Sequence, residues 1–234
     1  MFRLLALFGA ILHGAEALPV VPLQFTPDQI ALSLRTTKQP MPPADCHALG
    51  IQACNSEFPE AVSDISIRWV QLDDDPELEA IIITQAKVEW TYYALIFDWN
   101  RTWNLVGSIP CHRRCDSPEF VRVQTITDDS PTFLLIHRDL GGSGHVILTT
   151  NGYHLRGGRL WPTFEFERNF ISNVRERRLL ILRHENRLIL RATSPGKHTC
   201  SVLHWDAKTF HFVDVPSETK SLCAQQIGTP IDRY

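Results

Sequence analysis

Little in this chain marks it as a nucleic-acid binder, a membrane protein or a familiar enzyme. Its 23 Lys and Arg stand against 26 Asp and Glu, a formal net charge of −3. A slightly acidic chain of this kind has no electrostatic case for a phosphate backbone as partner. Beyond Leu12 no apolar run approaches the roughly twenty residues that a membrane-spanning helix needs. Long segments of period near 3.6 are also missing, and with them the signature of a helical fold. No Gly-x-Ser-x-Gly nucleophile elbow is present. The loop Gly141-Gly142-Ser143-Gly144-His145 lacks the Lys-Ser/Thr ending and following helix of a phosphate cradle, and reads as a strand connection.

The N-terminus does have a pattern. Arg3 precedes the apolar stretch Leu4 to Leu12, and Ala15-Glu16-Ala17 supplies the small residues a signal peptidase needs. Residues 1–17 are therefore expected to be a secretory signal peptide, which makes the mature protein secreted or periplasmic. All 6 cysteines lie beyond it, and an even count in an exported chain favours disulfides. Proximity suggests Cys46 with Cys54, Cys111 with Cys115, and Cys200 with Cys223. Cys111-His112-Arg113-Arg114-Cys115 falls short of the ligand set zinc takes, and its adjacent arginines disfavour a cation.

Apolar runs of about four to six residues, rich in Ile, Val, Phe, Tyr and Trp, are cut by Asp, Asn, Gly and Pro clusters from Ile65 onward. They recur as three four-strand units spaced roughly 50–55 residues apart, a spacing found in propellers and related arrays. The first starts at Ile65, turns at Asp73–Pro76, continues through Ala80–Ile83 and Tyr93–Phe97, turns at Asn100-Arg101 and closes with Trp103–Val106. The second starts at Phe120, turns at Asp128–Pro131 and ends with Arg156-Gly157-Gly158 and Leu160-Trp161. The third runs from Leu179 through a turn at Arg183–Asn186 to Phe210–Val213. The expected fold is all-β: three successive antiparallel meanders, propeller-like or an open array. Asn151-Gly152, a strong hairpin dipeptide, falls inside a strand of the second unit, which implies either a bulge or a different strand register at that point.

Residues 18–64 form a proline-rich leader that is too proline-dense for a central sheet. One short helix is expected there, Thr26 to Leu34. Thr26 and Gln29 form a capping box and Pro27 takes the first helical position. The repeats occupy 65–215, and 216–234 reads as a polar tail tied back through Cys223. The charged run Glu165 to Arg178 reads as a solvated connection.

The segment from Gln71 to Ile82, Gln71-Leu72-Asp73-Asp74-Asp75-Pro76-Glu77-Leu78-Glu79-Ala80-Ile81-Ile82, resembles a degenerate FG-GAP or VCBS-type β-propeller repeat. The resemblance implies a calcium site in which Asp73 and Asp75 are alternate loop ligands and Glu79 closes the set. Calcium accepts oxygen ligands at flexible distances, which suits that arrangement. Gln71 stands where the family's loop usually starts with Asp, and no glycine eases the turn. No other cofactor is implied.

Glycoside hydrolysis needs two carboxylates facing across a cleft, and neighbours on one turn do not meet that geometry. The histidines at His137, His154, His204 and His211 read as strand residues. No segment supplies a converging catalytic set, which favours a binding module over an enzyme. Trp90, Tyr92, Tyr93, Trp99 and Trp103 concentrate in the first unit. Those that stay exposed, with Trp90, Tyr92, Trp99 and Trp103 as the candidates, form a platform for protein or glycan. Asn100-Arg101-Thr102 is an N-glycosylation acceptor sequence on a turn. The expected function is an exported, non-enzymatic β-repeat module that binds a protein or glycan or builds an envelope assembly. Its alternative is a secreted glycan hydrolase with carboxylates from different repeats.

Overall fold

The structure, a computed structural model, describes residues 16–35, 42–49, 65–86, 91–110, 121–125, 131–142, 145–171, 178–194, 197–225 and 228–233. The leader contributes β1 (Val21–Pro22), α1 (Pro27–Arg35) and α2 (Pro43–Leu49). The first meander is β2 (Ile65–Val70), β3 (Glu79–Ala86), β4 (Thr91–Trp99) and β5 (Trp103–Pro110). The second is β6 (Val121–Thr125), β7 (Thr132–Gly142), β8 (His145–Arg156) and β9 (Arg159–Ile171). The third is β10 (Arg178–His184), β11 (Arg187–Ser194), β12 (Lys197–Asp206) and β13 (His211–Asp214), followed by α3 (Pro216–Ala224) and β14 (Thr229–Arg233). Neighbouring strands pair antiparallel throughout, and β1 and β14 extend the first and third sheets to five strands each.

The turns explain the register. Arg101 and Glu185 adopt positive φ in the β4–β5 and β10–β11 turns, and Gly157 and Gly158 do so between β8 and β9. Two successive positive-φ residues make the tight hairpin whose twist matches its strands, and glycine takes that conformation without strain. Asn151-Gly152 lies inside β8 in regular register with β7 and is neither a hairpin end nor a bulge; the register shift beside it belongs to β9, where Thr163 is the extra residue between Pro162, paired with Tyr153, and Phe164, paired with Gly152. The Thr163 hydroxyl donates to the Gly152 carbonyl at 2.9 Å, holding the bulge in place. The expected turn at Asp128–Pro131 falls mainly outside the described residues.

The sheets stack face to face because each meander has apolar side chains on surfaces it cannot bury alone. Alternation along β3 and β4 sends Ile81, Ile83, Tyr92, Ala94 and Ile96 toward the second sheet, where Leu134, Ile136, Tyr153, Leu155 and Leu160 meet them. The opposite residues, Ala80, Ile82, Leu95 and Phe97, pack under Ile30, Ala31, Leu34 and Leu49 of the leader helices. Between the second and third sheets the core is aromatic. Phe133 meets Trp205 and Phe212 at ring-centroid distances of 5.2 and 5.5 Å, and the Arg156 guanidinium lies 3.7 Å over Phe210. The outer face of the third sheet, with Leu182, Ile189 and Val202, is covered by Leu222 and Cys223 of α3. Helices therefore flank the stack on both sides, and the array is open.

The helix expected in the leader forms with its cap. Thr26 N–H donates to Gln29 Oε1 at 2.9 Å and Gln29 N–H to Thr26 Oγ1 at 3.3 Å, a reciprocal capping box. Buried Asp45 accepts from the backbone of Gln24 and Phe25, which fixes α2 against the approach to α1. Leu18 N–H donates to Leu160 O at 2.8 Å, so the leader also reaches the second sheet. Pro22 lies on the edge strand β1, where its missing N–H removes no central ladder bond.

Beyond the expected helix, α2 and α3 are both present. The segment 216–234, read as a polar tail tied back through Cys223, holds a helix and a strand among its described residues. No side chain of α3 is fully buried, so apolar periodicity gave no signal for it. It is fastened by the Cys200–Cys223 disulfide and by Arg187, whose Nε and Nη2 donate to the two Glu218 carboxylate oxygens at 2.6 and 2.9 Å. Arg191 Nη2 donates to the carbonyls of Leu222 and Gln225, capping the helix end. The pairs Cys46–Cys54 and Cys111–Cys115 involve side chains outside the described residues. Among the described residues no helix is long and apolar enough to cross a membrane.

Two outcomes are expected. A Cβ on Gly152 would collide with the Phe164 ring at Cε1, and that ring is pinned edge-on against Phe212. Gly152→Ala should therefore lower the unfolding free energy by about 1–3 kcal/mol, measured by denaturant titration. Selective reduction of Cys200–Cys223, which spans 23 residues, should cost about 3 kcal/mol and open α3 to limited proteolysis ahead of the sheets.

Candidate acidic centre and aromatic surface

Two groups of side chains gather at the same end of the first sheet, where the β2–β3 and β4–β5 turns lie. The first is acidic. Ala80 of β3 pairs with Phe97 of β4, so one step further along this ladder Glu79 stands across from Asp98. Both point toward the second sheet, and Asp73 of the β2–β3 loop joins them. One carboxylate oxygen from each of the three lies within 4.8 Å of the others. Glu79 is fully buried and Asp98 is 3% exposed, whereas Asp73 is half-buried.

The loop is shaped by its own polar groups. Asp73 Oδ1 accepts from Asp75 N–H and Asp75 Oδ1 from Glu77 N–H, each at 3.0 Å, two successive Asx turns. The Gln71 amide donates to the carbonyls of Asp73 and Asp75 at 2.9 and 2.6 Å, with a longer 3.4 Å contact to Glu77. Glu79 Oε2 accepts from the backbone N–H of Leu72, which draws the loop back onto β3. Asp73 and Glu79, both expected as ligands, are thus brought together. Asp75 stands outside the group, and Asp98 takes a place that the linear motif did not assign to it.

Burial dominates the electrostatics. Removal from water pushes the Glu79 carboxyl up to about 7, opposed by the Leu72 N–H and reinforced by the Asp73 charge. Asp98 is raised to about 6 by burial and then by the charges of Asp73 and Asp75. Asp73 is raised as well, burial again leading. Glu79 Oε1 and Asp98 Oδ1 are buried and have no hydrogen-bond partner. On the far side lies the β8–β9 turn: a Cβ on Gly158 would stand 3.3 Å from Asp98 Oδ2.

The second group is aromatic and faces the other way. Trp99 pairs with Trp103 across the β4–β5 hairpin, their ring centroids 5.3 Å apart, and Trp69 of β2 meets Trp103 at 5.7 Å. Trp69 and Trp99 are 41% and 39% exposed. The platform expected from Trp90, Tyr92, Trp99 and Trp103 is thereby changed. Tyr92 is buried, because alternation places it on the Ala94 and Ile96 face against the second sheet. Trp90 lies outside the described residues. Trp69 completes the surface instead, and the Ile65-x-Ile67-x-Trp69 alternation was its available signal. Asn100 and Arg101 are exposed at the rim, so the Asn100-Arg101-Thr102 acceptor sequence is accessible.

Of the strand histidines read from the sequence, His154, His204 and His211 are described on strands. His154 is buried, stacked on Phe210 with ring centroids 6.1 Å apart, and burial holds its imidazole below its usual range, favouring the neutral form. His204 and His211 are half-buried strand residues, and the His137 side chain lies outside the described residues. No protein-family model, curated protein or solved structure matches this chain.

The raised carboxyls have a consequence for stability. Folding favours the protonated forms of Glu79 and Asp98 relative to ordinary values of 4.5 and 3.8. Their stabilising contribution is present below those values and is lost as pH rises through about 6 and about 7. In buffer stripped of divalent cations, Tm should fall as pH rises across this window. Glu79→Gln, which keeps an acceptor for Leu72 N–H, should flatten the decline; an unchanged profile would contradict this assignment.

Proposed function

We propose that the protein is an exported, non-enzymatic β-repeat module that binds a glycan through Trp69, Trp99 and Trp103. The observation that supports this reading is the exposed aromatic surface: two rings near 40% exposure flank a third, with interplanar angles of 63° and 61°. Large aromatic area left in water is costly for the free protein and rewarded on contact with an apolar ligand face. A pyranose ring presents C–H groups that stack on such faces, while exposed Asn100 and Arg101 can bond its hydroxyls. Export is supported by the Arg3, Leu4–Leu12 and Ala15/Ala17 pattern and by the Cys200–Cys223 disulfide. The three stacked meanders are compatible with the FG-GAP/VCBS resemblance, and on this reading they are blades of an open array, capped by the leader and by α3.

A hydrolase would need two carboxylates flanking a substrate path. Burial of Glu79 and Asp98 weighs against their serving as that pair.

Titration of the purified mature chain against a panel of soluble oligosaccharides, followed by tryptophan fluorescence, tests the proposal. Binding should be saturable, and Trp69→Ala and Trp99→Ala should each weaken it about tenfold or more. Ligand affinity retained in the Trp69→Ala/Trp99→Ala double variant would sink the assigned surface. Bond cleavage in the panel would overturn the non-enzymatic reading, and capture of a protein in place of any sugar would overturn the ligand class.

A further inference from the structure

We infer that Asp73, Glu79 and Asp98 form a calcium site at the end of the first sheet, on its side toward the second sheet, and distinct from the loop-centred site that the acidic motif implies. The loop centre is filled from within. The Gln71 amide donates to the carbonyls of Asp73 and Asp75, and reaches toward that of Glu77, where a loop-bound cation would draw the same oxygens. Asp75 turns its Oδ1 to the Glu77 N–H. What remains for a cation is the carboxylate group on the β3–β4 side, which needs Asp98 from a different strand.

Three features of that group point to a ligand. First, Glu79 Oε1 and Asp98 Oδ1 belong to side chains 0% and 3% exposed, and neither atom has a hydrogen-bond partner. A buried carboxylate oxygen with no donor is expensive unless a positive charge or a proton satisfies it. Second, beyond the three groups themselves, the charges that bear most on them among the described residues are those of Asp74, Asp75 and Glu77, all acidic. Third, the donor set is oxygen alone and its span fits one ion. The three donors lie within 4.8 Å of one another, close enough for one ion to touch all three, and an all-oxygen set drawn from a loop and two strands suits calcium, which accepts six to eight oxygens in flexible geometry where magnesium demands a near-ideal octahedron. Oxygen donors without sulfur or nitrogen also disfavour zinc.

The site ties three separate pieces of chain together: the β2–β3 loop through Asp73, the start of β3 through Glu79 and the end of β4 through Asp98. Binding there would fasten the end of the first sheet that also presents Trp99, the residue after Asp98. The inference does not depend on the ligand of the tryptophan surface, since it stands on the carboxylate geometry alone.

The test uses the mature chain stripped with EDTA at neutral pH. Calorimetric titration with Ca²⁺ should show one saturable site and a rise in Tm, with Mg²⁺ and Zn²⁺ giving weaker responses. Asp98→Asn should reduce Ca²⁺ affinity about tenfold or more, whereas Asp75→Asn, which retains the acceptor for Glu77 N–H, should leave it within about threefold. A reversed pattern, with Asp75→Asn damaging and Asp98→Asn silent, would overturn the assignment in favour of a loop-centred ion. Should Asp98→Asn fail to fold, the wild-type chain still decides. Terbium, an oxygen-seeking stand-in for calcium, should give tryptophan-sensitised emission that Ca²⁺ displaces. Absence of both the calorimetric signal and displaceable emission at millimolar Ca²⁺ would refute the site.

Discussion

Both faces of the central stretches of β3 and β4, Ala80–Ile83 and Ala94–Phe97, are buried, and the rest of the molecule is arranged around that constraint. Ile81, Ile83, Ala94 and Ile96 require the second sheet, while Ala80, Ile82, Leu95 and Phe97 require the leader helices. Burial of one such Ile, Leu or Phe side chain stabilises by about 1.5–3 kcal/mol, so exposing either face would forfeit several such contributions at once. The leader is consequently a structural layer. Its capping box, the Asp45 carboxylate and the Leu18–Leu160 backbone bond all serve to hold a short, proline-rich segment over an apolar face. In the second sheet the same demand recurs, with the aromatic layer of Phe133, Trp205 and Phe212 on its far side.

The strict period of two along β4 also separates the two candidate sites. Asp98 follows Ala94 and Ile96 toward the second sheet, and Trp99 follows Leu95 and Phe97 toward the leader side. Core strands that run to the end of a sheet deliver adjacent residues to opposite faces, one into a desolvated corner and one to the surface. A shift of one residue in β4 would exchange them, placing an indole among the carboxylates and a carboxylate among the indoles. Register in this hairpin therefore matters to both sites, and the irregularity beside it is carried by β5, where Val106 is the extra residue between Gly107, paired with Ile96, and Leu105, paired with Phe97.

Much of this was legible in the sequence. Short β-branched runs cut by Asp, Asn and Gly gave the three meanders, and Thr26, Pro27 and Gln29 gave α1, because local chemistry fixes turns and caps. The Cys200–Cys223 pairing followed from proximity. The misses have a common physical origin. Helix α3 has no buried face of its own and is held by distant partners, Cys200, Arg187 and Arg191, which no local pattern reveals. Asp98 and Trp69 join their groups through strand pairing, whereas the sequence reading took neighbours within one turn or one unit. Tyr92 looked like a platform residue until the neighbouring sheet claimed its face.

The two flanks of the stack are secured by different physics. On the leader side, Ile30, Ala31, Leu34 and Leu49 are buried, and attachment is mainly hydrophobic. Such attachment is non-directional, strengthens with apolar area and is indifferent to redox state. On the α3 side the contact is thin, and attachment rests on one disulfide, one two-point Arg–Glu pair and the Arg191 cap. Those ties are directional and responsive to solvent conditions: the Arg187–Glu218 pair is partly exposed and weakens with salt, and the disulfide opens under reduction. Without α3 the outer face of the third sheet would present Leu182, Ile189 and Val202 to water. The Cys200–Cys223 link places Cys223 and its neighbour Leu222 on that apolar face, so the covalent tie and the apolar cover come from the same turn of α3.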